Sequence, residues 1–87
     1  MESYSLEIKR SAVREIEALA TKRVRRLLVS RISRLADDPR PPGAEKLAAD
    51  DRYRVRQGPN RIVYRVDDAA RVVCVVKIGH RRDVYRA

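Results

Sequence analysis

Eighty-seven residues make one small domain with a single core, able to bury about 60 to 65% of its unfolded surface, so function is expected on its outside. Lysine and arginine number 21 against 12 acids, a formal net charge of +9 that points to nucleic acid or an acidic protein partner. The longest apolar run, Val72 to Val76, falls far short of the roughly 20 residues of a membrane helix. The opening MESYSLEIKR lacks the apolar centre of a signal peptide, and one cysteine excludes both a disulfide framework and a zinc cluster. The cytoplasm is the expected location.

From Ser3 to Ile8, Tyr4, Leu6 and Ile8 alternate with Ser3, Ser5 and Glu7, the period of a half-buried strand. Ser11 is a plausible N-cap for a short helix in which Ala12, Val13, Ile16, Leu19 and Ala20 recur at helical spacing. Thr21 can cap a longer helix with an apolar stripe of Val24, Leu27, Leu28, Ile32 and Leu35; Arg23, Arg25, Arg26, Arg31 and Arg34 read as its solvated face. Asp37-Asp38-Pro39-Arg40-Pro41-Pro42-Gly43 ends it, because proline lacks the amide a helix needs and forces its predecessor toward extended geometry. Ala44 to Asp51, with Glu45 and Lys46, reads as a loop.

Tyr53 to Arg56 and Arg61 to Val66 flank the turn formers Gln57-Gly58-Pro59-Asn60, a hairpin. After a turn at Asp67 to Ala70, Arg71 to Ile78 is apolar on both faces and so a central strand. A tail from His80 to Ala87 follows, and Cys74 reads as a buried thiol acting as a small hydrophobe. The predicted class is α+β over residues 1–87: strand, helix, helix, strand, strand, strand, with a helical hairpin packed on one face of a small, mainly antiparallel sheet.

If Gln57 and Asn60 close the hairpin turn, Arg56 stands opposite Arg61, Arg54 opposite Val63 and Arg52 opposite Arg65. Side chains alternate along a strand, so Arg52, Arg54, Arg56, Arg61 and Arg65 share one face, while Tyr53, Val55, Ile62, Tyr64 and Val66 share the other. Directly opposed like charges cost roughly 0.2 to 1 kcal/mol per pair. The bland account of this row is a solvated basic face; the functional one is a row that asks for an external anion, on a surface left open by the helices. Tyr53 and Tyr64 belong to the core.

Glycine-rich phosphate loops, paired metal-binding histidines and a Ser, His, Asp set are all lacking. Arginines, one histidine and tyrosines remain. They suit RNA cleavage by its own 2'-hydroxyl, which needs a proton acceptor, cations for the charge on phosphorus and a donor for the leaving oxygen, but no cofactor and no metal.

The strand-helix-helix-strand-strand-strand order, YRVRQGPNRIVYRV at 53 to 66 and IGHRRDVYR at 78 to 86 resemble the RelE toxins of the RelE/ParE toxin-antitoxin superfamily, over essentially the whole chain. The resemblance implies a ribosome-dependent endoribonuclease that cuts mRNA in the decoding site and is silenced by a cognate, RelB-like antitoxin. It places Arg61 and Arg81 on the scissile phosphate, and Tyr85 on a base or in proton transfer. Arg54 and Arg56 stand where the best-known members have lysines; a guanidinium is not deprotonated in proteins, so these two bind phosphate and cannot be the general base. Arg52, Lys46 and Arg82 extend the RNA-contacting set.

That leaves the proton acceptor open. His80 is the candidate, because an unperturbed imidazole titrates near 6.5; taken alone, a histidine beside arginines is more often a surface residue. Two other readings stand beside the ribonuclease: a ParE-like toxin that inhibits DNA gyrase through a protein contact, and an RNA- or ribosome-binding module without activity. As a free toxin, the chain is expected to bind through its basic face an acidic antitoxin segment that orders on binding.

Overall fold

A computed structural model describes residues 3–47 and 52–80, with His80 described in its backbone alone. The strand period at the N-terminus gives β1 (Ser5–Ile8), and the two helical stretches give α1 (Arg10–Glu17) and α2 (Lys22–Arg34). The remaining strands are β2 (Glu45–Lys46), β3 (Arg52–Gln57), β4 (Asn60–Asp67) and β5 (Val72–His80). They form one mixed sheet in the order β1-β5-β4-β3-β2. Only the β1 pairing with β5 is parallel. The α+β class, the helical hairpin and the interior position of β5 are as the sequence predicts.

Thr21 caps α2, its hydroxyl accepting from the Val24 amide at 3.2 Å. Ser11 does not cap α1: the helix starts at Arg10, Lys9 holds the cap position, and no side chain bonds there. The cause is the chain's path, since the Lys9 amide is still tied to Val75 of β5 at 2.9 Å and the helix begins immediately off the strand. Two other expectations change. Glu45 and Lys46 pair with Arg54 and Tyr53 as a short edge strand rather than a loop. Arg25 is not simply solvated, because its Nη1 donates to the Leu19 carbonyl at 2.6 Å and closes the end of the first helical segment.

Ala12 and Ile16 of α1 and Leu28, Ile32 and Leu35 beside them pack on Val55, Ile62, Tyr64, Val66, Val73, Val75 and Ile78 of the sheet. Leu27, placed in the apolar stripe by periodicity, is instead 45% exposed. It lies at the edge of the stripe whose buried members are Leu28 and Ile32. Cys74 is also corrected. It is half-buried on the face away from the helices, because β5 carries a bulge between the partners of Val63 and Tyr64 that leaves Val72, Cys74 and Val76 facing outward.

A polar clasp ties the loop after α2 to the sheet. Tyr64 Oη donates to the Pro39 carbonyl at 2.6 Å, and Arg40 donates from Nε to Tyr53 Oη at 2.9 Å and from Nη2 to Asp68 at 2.8 Å. Tyr4 Oη completes it with a 2.6 Å bond to Asp68. The Arg40 guanidinium, and then the Tyr4 hydroxyl, hold the Asp68 carboxyl below its ordinary 3.8. A depressed folded pKa contributes stability above the unfolded value that is lost as pH falls through the folded one. Asp68→Asn is therefore expected to be less stable than wild type at neutral pH, with the difference closing in acid. Urea unfolding from about pH 7 down to about pH 3 checks this; a constant gap at every pH counts against it.

Candidate nucleic-acid interface

The hairpin register is the predicted one: Arg52 pairs with Arg65, Arg54 with Val63, Arg56 with Arg61 and Gln57 with Asn60. Gly58 makes the two-residue turn possible with φ of +59°, a left-handed conformation that side chains resist. Arg52, Arg54, Arg56, Arg61 and Arg65 accordingly line the sheet face opposite the helices, with Glu45 beside Arg54, Lys77 beside Val63 and Gly79 beside Arg61. Lys46 pairs with Tyr53 and so stands on the other face, apart from the row.

The face is not uniformly open. Arg52, Arg56 and Arg65 are exposed, whereas Arg54 and Arg61 are 8% and 5% exposed and Val63 is 4% exposed. Arg54 has an internal anion, Glu45, at 2.7 Å. Val63 sits directly between Arg54 and Lys77, whose long apolar stems stand within reach of it on either side. Arg61, like Arg54, has a buried Nε that makes no hydrogen bond among the described residues, but unlike Arg54 it has no ion pair there. A buried charge held this way lacks the partner such groups ordinarily find.

The far end of β5 is held from behind. β1 pairs only as far as Val75, so beyond it the β5 edge has no strand partner. Glu15 of α1 fills that place, accepting from the Ile78 amide at 2.9 Å and from Lys77 Nζ at 3.4 Å. It thereby fixes Gly79 against Arg61. His80 pairs with Asn60, in the register position alternate to that of Arg61. Arg81, Arg82 and Tyr85 lie outside the described residues. Sequence reasoning missed Glu15 and Glu45; each is one acid among several on exposed-looking segments, and nothing in its spacing sets it apart.

Among the described residues no group of three or more His, Cys, Asp or Glu is placed to hold a metal, and no helix is long and apolar enough to cross a membrane. What the face offers is directed positive charge, with one buried guanidinium that has no ion-pair partner among the described residues.

A family model described as the ParE toxin of type II toxin-antitoxin systems, parDE, matches residues 6–85. The chain belongs to this toxin family. The toxin's fold is that of RelE: an archaeal RelE-RelB complex from Pyrococcus horikoshii OT3 superposes with a TM-score of 0.82 at 26% identity, covering 91% of the toxin and 96% of that chain. A mutant of the E. coli toxin RelE in the free state gives 0.81 at 26% identity, over 97% of the toxin and 92% of that chain. The toxin-antitoxin complex RelBE2 of Mycobacterium tuberculosis gives 0.79 at 23% identity, over 91% and 99%. No curated protein matches the sequence significantly. The toxin is thus a type II toxin of the RelE/ParE superfamily, with a ParE-named sequence model and RelE-named structural neighbours.

Proposed function

We propose that the toxin is a metal-independent endoribonuclease that cuts mRNA on the ribosome, acting as a single domain in the cytoplasm without a cofactor. Arg61 carries this reading, since a buried guanidinium with no ion pair and an unbonded Nε among the described residues, on a face of like charges, suits an anion. In the reaction the 2'-oxygen attacks phosphorus as the bond to the 5'-oxygen breaks, leaving a 2',3'-cyclic phosphate and a 5'-hydroxyl. Arg61 and Arg81 stabilise the charge that builds on the phosphoryl oxygens. Arg52, Arg54, Arg56 and Arg82 bind and orient the strand, with Lys46 an outlying contact. His80, at the end of β5 but in the register position alternate to Arg61, is the candidate to take the 2'-proton, and Tyr85 stacks on a base or returns a proton to the leaving oxygen.

The test is toeprinting of translated mRNA. Wild type is expected to cut within the decoding site, and Arg61→Ala and Arg81→Ala to lose most of that cutting; undiminished cutting by both eliminates the site. If His80 is the proton acceptor, His80→Ala should slow cutting and alter its dependence on pH. A variant with an unaltered pH profile removes His80 from the mechanism.

The ParE name of the matching model favours a second reading, inhibition of DNA gyrase by protein contact. Loss of supercoiling at low toxin concentration, with mRNA left intact, selects it. Under either reading the proposed partner is an acidic, RelB-like antitoxin, as in the RelE-RelB complexes of the structural neighbours. Co-purification from the native operon checks this, and a lone monomer in high yield argues against it.

A further inference from the structure

The two arginine pairs of the hairpin differ in what surrounds them. Around Arg56 and Arg61 the face is partly buried, but at Arg52 and Arg65 it opens into a groove of about 660 Å³. Val72, Cys74 and Val76 of β5 give the groove an apolar side, and Lys9 borders it together with the two arginines. Arg40 and Asp68 also reach it but are engaged with each other. The side chains of Lys9, Arg52 and Arg65 make no hydrogen bond or ion pair among the described residues.

Arg52 and Arg65 are directly opposed across the ladder, which brings their Cβ atoms to about 4.5 to 5.5 Å. Two exposed guanidiniums so close favour one shared anion, and the apolar side next to them offers a flat surface to a base. We propose that this groove is a second phosphate subsite for the RNA strand that Arg61 holds. The inference rests on the ribonuclease reading above and adds to it a minimum length of strand. Arg61 and Arg65 are four residues apart on β4, about 13 Å at the rise of a strand. That spans about four nucleotides of a stacked strand at roughly 3.4 Å each, and fewer of an extended one.

An acidic peptide is the competing occupant, and the charges disfavour it. Glu7 and Asp67 also border the groove, so Lys9, Arg52 and Arg65 leave it only weakly positive overall. A run of carboxylates meets those two acids. A single phosphate between Arg52 and Arg65 does not.

Ribosome-bound messages carrying one uncharged methylphosphonate linkage, moved in turn across the nucleotides on both sides of the cut, test the subsite without altering the protein. Wild type should cut roughly ten-fold more slowly when the neutral linkage lies about two to four nucleotides from the cut, the scale of one charge-assisted contact. The R52S/R65S variant should cut the ordinary message about ten-fold more slowly and be indifferent to that linkage, while melting no lower than wild type, because both positions are exposed and the opposed like charges are gone. Wild type that is insensitive at every such linkage overturns the subsite, as does a variant that cuts at the wild-type rate. A variant that loses antitoxin affinity while cutting normally assigns the groove to the peptide. If wild type leaves all messages intact, the ribonuclease reading fails and takes the subsite with it.

Discussion

Arg61→Met is expected to melt several degrees above wild type and to cut ribosome-bound mRNA about 100 to 1,000-fold more slowly. Both effects have one cause. Arg61 is 5% exposed and its Nε has no hydrogen-bond partner among the described residues, and an unsatisfied buried polar group costs on the order of 1 to 3 kcal/mol. Methionine fills similar space without the charge, and buried charges replaced by apolar side chains often leave a protein equally or more stable. In a domain of this size each kcal/mol moves Tm by about 4 to 8 °C. The same guanidinium, already stripped of water and fixed between β3 and the end of β5, is preorganised for the charge that develops on phosphorus. Thermal melts and single-turnover cutting measure the two effects on one preparation. A variant that melts lower and still cuts makes Arg61 a structural residue.

The second large effect concerns Tyr64, which is completely buried, stacks on Tyr53 with ring centroids 5.8 Å apart and donates to Pro39. Tyr64→Ala should cost about 3 to 5 kcal/mol, as other large aromatic truncations do, which is much of the stability of a chain this short. Tyr64→Phe keeps the ring and loses only the bond to Pro39, so it should cost about 1 kcal/mol. Urea denaturation of the two variants separates packing from hydrogen bonding; equal losses contradict the assignment of most of the energy to the ring.

Tyr64 also sets an alkaline limit. Burial pushes its hydroxyl from 10.0 to about 12. A folded pKa raised above the unfolded one gives stability that is complete below about pH 10 and lost as pH rises toward 12. Tyr64→Phe should remove that part of the alkaline decline.

The hairpin was legible in the sequence because a two-residue turn fixes register, and register fixes faces. Counting outward from Gln57 and Asn60 places every arginine of the row correctly. Composition does not reveal depth, however. Arg54 and Arg61 read as surface residues, and only the arrival of Glu45 on a two-residue strand and the covered position of Val63 show how much of the face is enclosed. Cys74 was misplaced for a related reason. Five apolar residues in a row carry no alternation, so the bulge in β5 that turns Val72, Cys74 and Val76 outward leaves no trace in the residue types. The Ser11 cap failed because β1 runs into α1 with its last amide still bonded to the sheet, a constraint set by residues far along the chain.

The parallel ladder joins position 5 to position 72. A polypeptide made from its amino end therefore carries its opening strand without this lateral partner until β5, more than sixty residues further on, has been made. Non-local pairing of this kind is slow to form, and the core under β5 cannot close before β5 itself has emerged.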